Sequence, residues 1–237
     1  MIKTILFDLD GTLLPMEQDK FVKAYFGSLA KRLAPYGFEP EKLFDGIWTG
    51  MREMVKNSSE KSNEEIWWET FDGIFGDISL NNRDVFVRYY EEDFDGVRHS
   101  CGYNPKSRAL VDDLKARGYR LVLATNPVFP PAATMQRIEW AGLDPKDFEL
   151  VTTYENSTRC KPNPEYYTEI LGKISASAEE CMMVGNDVAE DMIAEKLGMK
   201  VFLLTDDLLN KKGLDISSYR KGSFEELADY ISEVGFN

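Results

Sequence analysis

The chain has 237 residues, 43% of them apolar and 29% charged, and a formal charge of −13 at pH 7. That charge has the wrong sign for the phosphate backbone of nucleic acid, whose binding runs on Lys and Arg, so no nucleic-acid partner is expected. The apolar start is broken at Asp8 too soon for a signal peptide, and no apolar run approaches the ~20 residues that cross a bilayer; a cytoplasmic protein with no membrane partner is expected.

The first predicted element is a strand. Ile5, Leu6 and Phe7 form an apolar run that stops at Asp8, Leu9, Asp10, Gly11 and Thr12, as a buried strand does at its carboxyl edge. Two carboxylates left together there repel, so a cation or a proton must settle the site. From about residue 16 to residue 98 the pattern is helical. Phe21, Tyr25, Leu29 and Leu33 recur at four-residue spacing, and so do Leu43, Ile47, Met51 and Val55, although Gly50 weakens the second series. Ser62 and Glu65 stand at capping-box spacing before a third helix marked by Ile66, Phe71 and Ile74. Phe86, Tyr90 and Phe94 mark a fourth. About half of the chain's aromatic residues fall in this block, which reads as a helical bundle filling its own core rather than as an aromatic ligand box.

From residue 103 onward strands and helices alternate. A helix over 109–118 leads to a strand over 119–125, a helix near 133–142 and a short strand near 148–153. A helix over 164–174, a strand over 181–185, a helix over 189–198, a strand over 200–205 and a helix over 223–231 complete the chain; Ser223 and Glu226 repeat the capping-box spacing. Such alternation means crossover units and a parallel sheet covered by helices. The expected fold is α/β, a doubly wound parallel sheet built from residues 1–15 and 99–237, with residues 16–98 inserted as a helical unit.

Cys101, Cys160 and Cys181 show no CxxC spacing and read as reduced structural thiols. The single histidine, His99, cannot by itself build a Ser-His-Asp triad or a multi-His zinc site. Catalysis must therefore rest on carboxylates. Ligands of doubly wound sheets sit beyond the carboxyl ends of the strands, and polar groups gather there: Asp8, Asp10 and Thr12, then Thr125 and Asn126, then Asp187 with Asp191 four residues on. Lys161 lies in a loop with Pro162 and Pro164, whose restricted backbone suits a lysine that must be aimed.

The Asp8-Leu9-Asp10-Gly11-Thr12 run, the strand-end Thr125-Asn126, Lys161-Pro162-Asn163-Pro164, and Gly185-Asn186-Asp187 with Asp191 resemble, in order and placement, the four motifs of the haloacid dehalogenase superfamily. The helical block is similar to the cap of its phosphoglycolate-phosphatase-like branch. The resemblance implies a Rossmann-like core and hydrolysis of a small-molecule phosphate ester through an aspartyl-phosphate. It makes Asp8 the nucleophile and Asp10 the acid and base, with Mg²⁺ as cofactor. Asp8, Asp10 (through its backbone carbonyl) and Asp187 would hold the cation, and Asp191 would orient Lys161 or a water at the metal. Thr125, Asn126 and Lys161 would surround the phosphoryl oxygens. Where the family has Gly-Asp in its last motif, this chain has Gly185-Asn186. Counting back from Gly198 instead would place Asn186 and Glu190 in the acidic slots; Asp187 and Asp191 are preferred because they supply two charges.

Within the superfamily, Asp10 favours phosphoryl chemistry over dehalogenation, because a halide leaves without a proton and the dehalogenases lack a carboxylate there. A phosphosugar mutase of the same family, or a phosphate-binding regulatory module without turnover, are the alternatives. Arg52, just after the weak point at Gly50, is the candidate for reaching an anionic substrate group from the cap. A monomer is expected.

Overall fold

Period-two alternation organises the centre of the computed structural model, which describes residues 1–234. In β1 (Thr4–Phe7), Ile5 and Phe7 enter the core on one face of the sheet and Leu6 enters the core on the other. A strand buried on both faces must lie inside a sheet, and β1 does. The sheet contains β2 (Arg120–Leu123), β3 (Leu150–Val151), β4 (Cys181–Gly185), β5 (Lys200–Leu204) and β6 (Lys221–Gly222) in the order β3-β2-β1-β4-β5-β6, every pair parallel. Phe7 is in register with Leu123 on one side and Val184 on the other. The chain winds from β1 to β3 in one direction, then crosses back to β4. The carboxyl ends of β1, β2 and β4 therefore meet at the point where the winding reverses, the position where such sheets bind ligands.

Between β1 and β2 come α1 (Gln18–Leu33), α2 (Pro40–Lys56), α3 (Asn63–Phe75), α4 (Asp77–Leu80) and α5 (Arg83–Glu92), followed by a 3₁₀ segment, Phe94–Ser100. The capping box of Ser62 and Glu65 opens α3. The buried face of α2 is Leu43, Gly46, Ile47, Gly50 and Met54, which corrects the predicted stripe: Met51 is half-buried and Val55 is 37% exposed. Close approach to α3 explains the shift. A Cβ on Gly46 would lie 2.6 Å from the Phe75 ring, and one on Gly50 would lie 2.6 Å from Trp67. Gly50 is thus a contact surface rather than a weak point.

The insertion shares one apolar cluster with the sheet, running from Phe7 and Leu123 through Phe21, Tyr25 and Phe94 to Trp140. Its two connecting segments lie side by side, with Met16 bridged to Cys101 and the Gly102 N–H donating to the Pro15 carbonyl at 2.8 Å. The start of α3 is tied to the loop after β3 by two backbone hydrogen bonds, Asn63 N–H to the Ser157 carbonyl and Glu64 N–H to the Tyr154 carbonyl.

The remaining helices are α6 (Pro105–Ala116), α7 (Pro131–Trp140), α8 (Pro164–Ile174) and α9 (Phe224–Val234). The helix predicted over 189–198 is instead a set of turns ending in a 3₁₀ segment, Met192–Leu197. Asp187 Oδ1 accepts the N–H groups of Ala189 and Glu190 there, local bonds that compete with a regular helical turn. β6 and α4, two and four residues long, are too short to leave a periodic signal. Among the described residues, no helix is long and apolar enough to cross a membrane.

Candidate active site

Asp8 stands one residue beyond β1, and its N–H still donates to the Val184 carbonyl of β4 at 2.9 Å. That ladder bond fixes the carboxylate at the sheet edge. Its Oδ1 accepts from Lys161 Nζ at 2.8 Å, and the Thr12 hydroxyl lies 3.4 Å from its Oδ2. Lys161 is only 1% exposed, and its ammonium also donates to Asp191 Oδ1 at 2.6 Å. Burial works against that charge, but Asp191 and Asp8 outweigh it and raise the pKa well above the ordinary lysine value. The lysine stays charged beside the predicted nucleophile.

Asp191 is bonded at both oxygens, since Oδ2 accepts the Asp187 N–H at 2.9 Å, and through Oδ1 it holds Lys161, one of the two roles expected of it. Gly185 makes room for it, because a Cβ there would lie 2.1 Å from Asp191 Oδ2. Asp187 keeps its hydrogen bonds on Oδ1 and borders the cavity beside Asp8 and Asp10. Asn186 and Glu190 border the same cavity and have partners of their own. Asn186 donates to the Asp207 carbonyl at 2.7 Å and lies 3.2 Å from the Thr12 hydroxyl; Glu190 accepts from Asn126 at 3.0 Å.

Asn126 borders the cavity as well; its Nδ2 donates to Glu190 and its Oδ1 accepts the Lys161 N–H at 3.3 Å, so its side chain ties the lysine loop to the end of β2. Thr125 is held through its carbonyl, which accepts from the hydroxyls of Thr152 at 2.7 Å and Tyr166 at 2.8 Å, and it borders the cavity. Arg52 is exposed at the cavity wall, donates to the Thr49 hydroxyl at 2.8 Å, and makes no bond to the carboxylates.

Sequence reasoning missed Arg137. This residue of α7 is 1% exposed and forms an ion pair with Asp10 Oδ2. It also donates from Nε to the Ala133 carbonyl at 3.3 Å, and its guanidinium lies 4.5 Å from the centre of the Phe129 ring. The available signal was a charge on an apolar face: Ala133 and Ala141 stand one helical turn either side of Arg137, and a buried arginine demands a partner. The other oxygen of Asp10, Oδ1, is buried with no hydrogen-bond partner among the described residues. Burial raises the Asp10 pKa, Arg137 pulls it down and Asp8 pushes it up again, with a net upward direction. A carboxyl whose pKa is pushed upward next to the predicted nucleophile has the direction of shift that general acid catalysis requires.

Among the described residues, no three His, Cys, Asp or Glu side chains are gathered so as to hold a metal ion by themselves. The donors at this edge are nevertheless all oxygens, the carboxylates of Asp8 and Asp187 and the Asp10 carbonyl. They fit Mg²⁺, which is commonly held by one or two carboxylates with the substrate's phosphate. A cavity of about 440 Å³ runs from these groups to the inserted helices α1 and α2.

The motif order and the strand-end geometry agree with comparisons to known proteins. A family model described as haloacid dehalogenase-like hydrolase matches residues 2–198. Pyrophosphatase PpaX of Bacillus cereus is 23% identical over 199 residues, covering 84% of this chain and 81% of the relative. The protein of the same name from Listeria innocua is 24% identical over 186 residues, covering 78% and 75%. Among solved structures, 2-haloacid dehalogenase from Pseudomonas syringae superposes with a TM-score of 0.67 at 19% identity, over 99% of this chain and 100% of that one. A predicted phosphoglycolate phosphatase from Haemophilus somnus gives 0.60 at 19% identity, over 99% and 98%. With the family model spanning most of its length and the sheet folded as those neighbours fold, the chain belongs to the haloacid dehalogenase-like hydrolases, as an enzyme of that family.

Proposed function

We propose that the protein is a Mg²⁺-dependent phosphatase that hydrolyses a small phosphorylated metabolite through an aspartyl-phosphate, with residues 16–98 acting as its cap. The observation that carries this reading is the juxtaposition of Asp8, bound to a buried lysine, with Asp10, whose Oδ1 is unpaired. Asp8 attacks phosphorus, forming the Asp–phosphoryl bond as the bond to the ester oxygen breaks. Asp10 gives its proton to the departing alkoxide, then takes one from the water that attacks phosphorus and frees Asp8. Lys161, held by Asp191, offsets negative charge on the phosphoryl oxygens, with the Thr125 hydroxyl beside it. Mg²⁺, held by Asp8, Asp187 and the Asp10 carbonyl, would supply further neutralisation of that charge. The pyrophosphatase names of the Bacillus and Listeria relatives support phosphoryl transfer as the reaction class.

Release of inorganic phosphate from an aryl phosphate in the presence of Mg²⁺ tests the proposal. The folded Asp8→Asn variant keeps the size of the side chain and loses its nucleophilic charge, and its turnover should fall by several orders of magnitude. A near-normal rate in that variant would remove Asp8 from the mechanism.

A further inference from the structure

Beyond its carboxylates the cavity has an apolar wall, built by Val22 and Phe26 of α1, Trp48 and Met51 of α2, and Val128 and Phe129 after β2. All six are half-buried: they leave part of their surface to the cavity, while Ile47 and Met54 on the same helix α2 are taken into the core. A contiguous apolar surface kept open beside a catalytic site marks a ligand surface. The cations on this side are Arg52 and Lys56 at the cavity wall, and each already has a partner, Thr49 for Arg52 and Glu53 for Lys56.

We infer that the substrate's alcohol portion is an apolar group, seated against this wall while the phosphoryl group meets Asp8. The inference rests on the phosphatase reading and narrows it to a class of ester. A sugar phosphate would turn several hydroxyls onto six side chains of which only Trp48 carries a hydrogen-bonding group, and a buried polar group without a partner is costly. Pyrophosphate would engage the polar end alone and leave the wall in contact with water. An apolar chain or ring removes that surface from water and gains with each carbon buried.

The test uses n-alkyl phosphates from ethyl to octyl, whose leaving alcohols share nearly the same acidity, so that chemistry stays constant while contact grows. kcat/KM should rise about fourfold per added methylene until the wall is covered, and glycerol phosphate and pyrophosphate should rank below butyl phosphate. Met51→Glu should flatten the series. As a measurement independent of turnover and of any variant's folding, calorimetry of n-alkylphosphonates with the wild-type protein should show affinity rising with chain length. Hydrolysis of every ester with no dependence on length would overturn the inference and leave the phosphatase reading standing. No phosphate release from any ester, with affinity still rising along the phosphonates, would support the apolar site and overturn the phosphatase reading. Phosphonate affinities flat along the series would overturn the inference whatever the turnover.

Discussion

Arg137 and Asp10, 127 positions apart in the chain, are joined by a part-buried ion pair at the edge of the active-site cavity. The guanidinium has given up water for Asp10, the Ala133 carbonyl and the Phe129 ring, so it holds one carboxylate oxygen while the other stays unbonded. We assign it the role of a positioning residue for the general acid. Arg137→Met should destabilise the fold by about 1–3 kcal/mol, as leaving a part-buried polar partner unsatisfied does. It should also lower turnover of alkyl phosphates, which need a proton on the leaving oxygen, more than turnover of aryl phosphates. Arg137→Lys should restore part of the difference. Equal loss on both ester types would reduce Arg137 to a packing role.

Asp10→Asn removes the proton donor without removing bulk. Single-turnover phosphorylation of the enzyme should drop by about 10²–10⁴-fold with alkyl phosphates and far less with nitrophenyl phosphate. Rapid-quench measurement on both esters decides the matter, since a common loss would contradict a general-acid role.

Two different substitutions should disturb Lys161 in the same way. Asp191→Asn removes one of its two anionic partners. Gly185→Ala does so indirectly, because the new methyl group occupies the space of the Asp191 carboxylate. Both variants should lose at least tenfold in kcat/KM while Lys161→Met loses more. Normal kinetics in a folded Gly185→Ala protein would show that the Asp191–Lys161 contact is dispensable.

Chelation should abolish turnover and Mg²⁺ should restore it, whereas Asp187→Asn should raise the Mg²⁺ concentration needed for half-maximal activity. Undiminished hydrolysis after exhaustive treatment with EDTA would remove the cation from the mechanism.

Asp147, remote from the site, should contribute to acid sensitivity. Its carboxylate is 7% exposed and paired with Arg108 and Lys115. Burial alone would raise its pKa, but those cations and the Asp144 N–H lower it from 3.8 to about 2. A depressed carboxylate stabilises the fold above its unfolded pKa, so its contribution, about 2 kcal/mol, is present above pH ~4 and lost as pH falls toward ~2. Denaturant titrations of wild type and Asp147→Asn at pH 7 and pH 2.5 should show the stability gap shrinking at the lower pH.

The inserted helices have sequence spacing that reports burial but not what lies opposite. Phe21, Tyr25, Leu29 and Leu33 recur every four residues and all enter the core. In α2 the same spacing misplaces Met51 and Val55. A helical period cannot tell a side chain facing the core from one facing a cavity, and two glycines let α3 pack on a face that has no side chains to read.

What the sequence by itself determined is everything set by neighbours along the chain. Short apolar runs ending in polar residues specify a parallel sheet, and their ends carry Asp8, Thr125, Lys161 and Asp187 to one edge. Only the tertiary structure decided what those groups bond to: Arg137 to Asp10, Asp191 to Lys161, Asn126 to Glu190, and six apolar side chains from three segments to one wall. The physical reason is that burial makes each unpaired charge or amide costly, so partners are chosen by what the fold brings within hydrogen-bond reach. That choice has no period and no motif.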